Sequence, residues 1–201
     1  MKQRVMSQHE RIRQLTYGAI LIAISLVLGF TGWGFIPLPL PIAGATIFHI
    51  PVILAGILVG PEIGFLAGLI FGIFAFNTFK SAFPWFALIP ARPFIGLVSY
   101  YVFIFFRKIF SSMKAKYPLS LTIPSIMGGI FGSLTNSIGT LGLGYIFKVF
   151  GPTIEVNRAA IITSIPVVIT EAILAAIITP ILVIPLHTYM NRKQINHDSI
   201  N

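Results

Sequence analysis

Residues 36–79 read IPLPLPIAGATIFHIPVILAGILVGPEIGFLAGLIFGIFAFNTF, and this stretch decides what kind of molecule the chain can be. Pro37, Pro39 and Pro41 each fix φ and donate no backbone hydrogen bond, so the run begins as an extended surface segment. Two apolar runs follow, hinged at Gly60-Pro61-Glu62, where a permissive residue stands beside a rigid one. Gly60, Gly64, Gly68 and Gly72 recur every four residues, a spacing that lines one face of a helix. In water such a string weakens a helix, whereas between helices in lipid it lets backbones approach closely. The stretch predicts a packed membrane hairpin behind an extended outer loop.

Composition points the same way. Of 201 residues, 56% are hydrophobic and 9% charged, against about 25% charged in soluble domains, and the mean hydropathy is +0.91. Too little polar side chain exists to coat a globule, so the chain reads as an all-α integral membrane protein with no room for a soluble domain. The apolar runs are long and uninterrupted, unlike the alternating strands of a barrel. The net charge of +9 comes in short clusters between apolar runs, which suits membrane topology better than nucleic acid. With no cysteine there are no disulfides, thiolate metal sites or thiol nucleophiles.

Outward from the hairpin, candidate spans fall at 15–30, 45–59, 63–79, 91–106, 121–147 and 159–186, predicting a bundle of six transmembrane helices. The basic start followed by residues 15–30 has a superficial likeness to a signal peptide, but the further apolar runs make it a retained first span. The second and fourth spans are short for a bilayer, and the second and third can alternatively form a re-entrant pair. With the N-terminus inside, cytoplasmic segments hold Lys2, Arg4, Arg11, Arg13, Arg107, Lys108, Lys114, Lys116, Arg192 and Lys193. The outer loops 31–44, 80–90 and 148–158 hold Lys80, Lys148 and Arg158. Ten against three sets both termini in the cytoplasm. The chain divides into a basic N-terminus (1–14), one membrane domain (15–187) and a polar tail (188–201), with residues 187–201 expected to fray.

Enzymatic constellations are absent from the sequence: there is no HExxH, GxSxG or phosphate loop. Catalysis, cofactor binding and a metal site are therefore not expected. The polar residues inside spans are the candidates for binding. Glu171, in ITEAILAA, is an intramembrane carboxylate, which is costly and needs a partner, water or a ligand; a hydrogen-bonded helix contact is the plain alternative. Asn136, in GSLTNSIGT, offers donor and acceptor together, and Ser133, Thr135, Ser137 and Thr140 crowd the same span with more hydroxyl than packing requires. Arg92, in LIPARPFIG, stands where a guanidinium can grip a carboxylate or phosphate, or else snorkel to headgroups. His49, in ATIFHIPVI, opens the second span as a structural hydrogen-bonding residue or a ligand contact. Trp85, with Trp33 and Phe86, belongs to an interfacial belt or to a gate that stacks on a ring. Ala19 and Ala23, with Gly18 and Ser25 adjacent, give the first span a flat face for another helix.

Taken together these segments resemble the substrate-binding S component of an energy-coupling factor (ECF) vitamin transporter. The resemblance covers nearly the whole chain. It rests on the Ala19/Ala23 face, TIFHIPVILAGILVGPEIGFLAGLIFG (46–72), IPARPFIG (89–96), GGIFGSLTNSIGTLGLG (128–144) and TEAILAA (170–176), of which the block at 49–72 is the most specific. It implies six helices around a vitamin pocket open to the outside and covered by loops one, three and five. It implies a multi-pass protein of a prokaryotic cell membrane that topples within a complex containing a transmembrane coupling protein and two ATPase subunits. The site it implies draws on Arg92, Asn136, Glu171, His49, Trp85 and Thr140, with Ala19 and Ala23 docking the coupling protein.

The His-Ile-Pro opening of the second span is most similar to the pantothenate members, with cobalamin and pyrimidine or pyridoxine carriers next. Arg92 suits pantothenate's carboxylate. A stand-alone secondary transporter is the rival reading, but it calls for inverted repeats and ion-coupling carboxylates at the midplane, which Glu171 alone hardly supplies.

Overall fold

The computed structural model describes residues 8–36, 45–79, 84–112 and 119–198. Pro37, Pro39, Pro41, Lys2, Arg4, Lys80, Lys114 and Lys116 lie outside the described residues. The elements run α1 (Gln8–Thr31), β1 (Phe35–Ile36), β2 (Ala45–Thr46), α2 (Ile50–Leu54), a π-turn (Ala55–Val59), α3 (Pro61–Phe79), α4 (Trp85–Leu88), α5 (Pro93–Ser112), α6 (Leu119–Ile146) and α7 (Ile154–Asp198).

At the centre lies α2 with its π-turn. Every residue of Ile50–Leu54 is buried, as are Ala55, Gly56, Ile57 and Val59, and α2 packs on α1, α3, α5, α6 and α7. An element apolar on all sides belongs in the middle of a bundle. It is short: Ile50–Val59 rises about 15 Å at 1.5 Å per residue, roughly half the apolar thickness of a bilayer. The second span of 45–59 is thereby corrected. Ala45 and Thr46 form β2, which pairs antiparallel with β1 in the register Phe35↔Thr46 and Ile36↔Ala45.

The glycine ladder explains how α3 meets its neighbours. Gly64, Gly68 and Gly72 face α5 and the π-turn, where three backbones touch: a Cβ on Gly64 would sit 2.7 Å from Gly56 Cα and 3.1 Å from the Gly96 carbonyl carbon. Lower on the same face, Gly68 lies against Pro93 and Gly72 against Ile89. Gly60 is different. It precedes α3 at φ 138°, a conformation that favours glycine, so it forms the hinge and not a rung of the ladder. On α6, Gly128 and Gly132 abut Ser99 of α5, while Gly129 abuts Ala175 of α7.

The remaining helices close around this crossing. α6 packs between α5 and α7, and α1 lies over α3 and α2, with Phe30 edge-on to Phe74 at 4.7 Å. Among the described residues, four helical stretches are long and apolar enough to cross a membrane: Arg11–Thr31, Pro61–Thr78, Trp85–Ser111 and Ile154–Met190. α6 is 28 residues long, but its glycine and hydroxyl content makes it less apolar. The tail expected to fray from residue 187 is instead helical to Asp198. Pro166, Pro180 and Pro185 lie inside α7 without ending it, each removing one backbone donor and leaving the carbonyl four residues earlier without its usual partner.

Candidate functional site

Glu171, midway along α7, is 6% exposed. Its Oε1 accepts hydrogen bonds from the Thr46 N–H at 2.8 Å and the Thr46 hydroxyl at 2.7 Å. Its Oε2 accepts from the Ser137 hydroxyl at 3.0 Å. Three donors answer the carboxylate, which is what burial of such a group demands. The acid therefore ties β2 and α6 to α7.

His49 and Arg92 lie within reach of the Glu171 charge. His49 follows the strand pair directly, at the foot of α2. It is fully buried, and among the described residues neither Nδ1 nor Nε2 has a hydrogen-bond partner. Its backbone is held from two sides: Ser25 of α1 donates its hydroxyl to the Phe48 carbonyl at 2.7 Å, and Thr46 is held by Glu171. Arg92 ends the turn before α5 and does not snorkel; it is buried beneath α3. One terminal nitrogen donates to the Leu88 carbonyl, and the guanidinium carbon lies 5.0 Å from the Phe71 ring centroid. Its Nε–H, buried, has no partner among the described residues. Stacking and the backbone tether fix the plane of the guanidinium before any ligand arrives.

The third wall is α6. Ser133, Asn136, Ser137 and Thr140 are spaced to share one helical face. Ser133, Asn136 and Ser137 are buried and Thr140 half-buried. Ser133 Oγ, Asn136 Oδ1 and Thr140 Oγ1 have no hydrogen-bond partner among the described residues. Gly139, next to Thr140 in sequence, lies against Ala91, the residue before Arg92, so α6 touches the turn before α5 at this level. Arg92, His49, Ser133, Asn136 and Thr140 thus each carry a buried side-chain atom with no partner among the described residues, an unusual number for an apolar interior.

Trp85 stands apart from this set. It is 58% exposed on α4, edge-on to Phe86 at 5.9 Å, and Phe86 in turn packs on Phe147 at 4.7 Å. Ala19 and Ala23 point away from the bundle, whereas Gly18 and Ser25 on the same helix point inward, so the alanine face has no partner within the chain's described residues. Sequence reasoning missed the role of Thr46 and took Ser25 only as a small residue beside the alanine face; a threonine in a loop and a serine in a span carry no signal of partners 125 and 23 positions away.

Two outer grooves are apolar and separate from the polar set: one of about 260 Å³ between α1, α2 and α7, and one of about 400 Å³ between α5 and α6. Among the described residues no group of three or more His, Cys, Asp or Glu comes together to hold a metal.

Comparison with known proteins then supplies the family. The model of the family described as ECF transporter, substrate-specific component, matches residues 13–183, and the chain belongs to that family. No curated protein matches the chain by sequence. Among solved structures, ThiT from Listeria monocytogenes is similar at 22% identity and a TM-score of 0.52, covering 89% of this chain and 95% of that one. The S-component for biotin of an ECF-type ABC transporter is similar at 21% identity and a TM-score of 0.53, covering 89% of this chain and 94% of that one. These likenesses establish a shared fold. Family membership makes the chain an integral membrane protein and a substrate-binding rather than a catalytic component.

Proposed function

We propose that this member of the ECF substrate-specific component family captures a small carboxylate-bearing vitamin, with pantothenate the first candidate. The observation that carries the reading is Arg92. Its guanidinium is buried with an unanswered Nε–H, while both oxygens of the nearby Glu171 are engaged by Thr46 and Ser137. A buried cation whose neighbouring acid is occupied elsewhere calls for an anionic ligand group. The Asn136 amide oxygen, the Ser133 and Thr140 hydroxyls and His49 match a ligand rich in hydroxyl and amide groups. Pantothenate has all three features: carboxylate, amide and hydroxyls.

In this reading six helical segments cross or enter the membrane, with both termini cytoplasmic as the distribution of Lys and Arg predicts. Energy comes from partner subunits, a transmembrane coupling protein and two ATPases, with Ala19 and Ala23 facing the coupling protein. ATP binding in the partners would favour one orientation of the loaded component by differential affinity for two states.

The test is purification without added vitamin, mass spectrometry of what co-purifies, and calorimetry with pantothenate, biotin and thiamine. Near-stoichiometric pantothenate and its tight rebinding are expected. Preference for a cationic or uncharged vitamin would overturn the assignment of Arg92, and solute accumulation by the protein alone in sealed vesicles would overturn dependence on partners.

A further inference from the structure

We infer that Glu171 and Ser25 are positioning residues that act on the ligand through His49, by pinning the segment in front of it at two points. The inference rests on the reading of His49 as a pocket residue. Residues 46–49 carry no regular secondary structure beyond Thr46, yet they are anchored by two separate helices, α7 and α1. α7 holds Thr46 through Glu171 Oε1 at 2.8 and 2.7 Å. α1 holds the Phe48 carbonyl through Ser25 at 2.7 Å, and Ser25 is 2% exposed. On either side of the pins, Ala45 and His49 are both fully buried. Among the described residues the imidazole has no hydrogen bond of its own to fix it; its backbone supplies the fixing. Glu171 Oε1 is committed twice and Oε2 once, so its part is to orient Thr46 and α6, not to grip a solute. A strand end, a carboxylate and a serine from three separate elements thus set one side chain's place.

A glutamine at position 171 can still accept from Thr46 through its amide oxygen and donate to Ser137 through its nitrogen; a leucine can do neither. The experiment compares Glu171→Gln, Glu171→Leu, Thr46→Val and Ser25→Ala, each alone and combined with His49→Ala, by calorimetry with pantothenate in nanodiscs. Hydrogen–deuterium exchange over residues 45–50 is followed in parallel without ligand. Glu171→Leu is expected to weaken binding about tenfold or more, and Thr46→Val or Ser25→Ala about threefold to tenfold, from the usual net value of such bonds. Glu171→Gln stays within about threefold of wild type, as expected when the neutral bonds are retained. All these losses vanish in the His49→Ala background, and exchange over 45–50 rises in Glu171→Leu and Ser25→Ala but not in Glu171→Gln.

Two results overturn the inference. One is additivity with His49→Ala, or equal losses for Gln and Leu, which would make Glu171 a direct ligand contact. The other is unchanged exchange in every variant, which would remove the pins. If wild type itself ignores pantothenate, the vitamin assignment fails, and the exchange experiment, which needs no ligand, still decides the pinning. If Glu171→Leu does not fold, Thr46→Val and Ser25→Ala carry the same test.

Discussion

Consider replacing Gly64 by alanine. The added Cβ would lie 2.7 Å from Gly56 Cα, 3.1 Å from Gly56 N and 3.1 Å from the Gly96 carbonyl carbon, all backbone atoms that cannot rotate away. The helices must separate, and overpacking of this kind costs about 1–3 kcal/mol. At roughly 2–4 °C per kcal/mol for a chain of this size, the melting temperature falls by about 2–12 °C. Gly142→Ala is the control: it lies within α6 and a Cβ there meets nothing within 4 Å. Removing glycine from an open helical position gains about 0.5–1 kcal/mol, so its melting temperature should hold or rise. The assay is thermal unfolding in one detergent, followed by tryptophan fluorescence and by monodispersity on size exclusion. Equal melting temperatures for Gly64→Ala and Gly142→Ala would refute the argument that backbone contact across α3, α5 and the π-turn holds the bundle together.

Arg92→Ala should weaken pantothenate binding about thirtyfold or more, the scale for truncating one partner of a buried charged pair, and Asn136→Ala about tenfold; calorimetry with both unchanged would take these residues out of the pocket. Ala19→Trp should bind vitamin normally yet support no uptake when co-expressed with the coupling module, and normal uptake would remove that face as a docking site. Asn157, 1% exposed, donates to the Gly151 and Thr153 carbonyls at 2.6 and 2.7 Å and accepts from the Phe150 N–H at 3.3 Å. Asn157→Ala should cost about 1–3 kcal/mol and quicken proteolysis between α6 and α7; wild-type cleavage rates would show that this cap is dispensable.

What the sequence revealed, and what it hid, divides along physical lines. Gly64, Gly68 and Gly72 were legible because close helix contact in lipid needs small residues at fixed spacing, and a spacing is visible in one dimension. Glu171, Arg92, His49 and Asn136 drew notice because polar groups are costly inside a span, and the structure buries all four. Their partners were hidden. Thr46 and Glu171 are 125 positions apart, and no local pattern links them. Gly60 read both as the hinge before Pro61 and as a rung of the ladder; the structure keeps the hinge and drops the rung, a distinction that lies in φ and not in spacing. Residues 45–59 read as one span because hydropathy cannot tell a two-residue strand and a short helix from a continuous one. The helical tail was missed because its helix follows from the rigid turns before it, not from its own apolar period.

The foreshortened central element has a consequence for selectivity. From the Gly60 hinge, α2 and its π-turn climb about 15 Å while the 19-residue α3 beside them climbs about 28 Å. His49 therefore stands near the midpoint of α3, and on the proposed reading a solute lying against that imidazole would have surrendered its hydration on the way. Each polar atom it brings that the wall cannot answer costs about 1–3 kcal/mol, and each wall atom it fails to answer costs the same. Discrimination between vitamins then comes from matching the count and place of dehydrated groups, which a shallow, wet dish at the surface could not enforce.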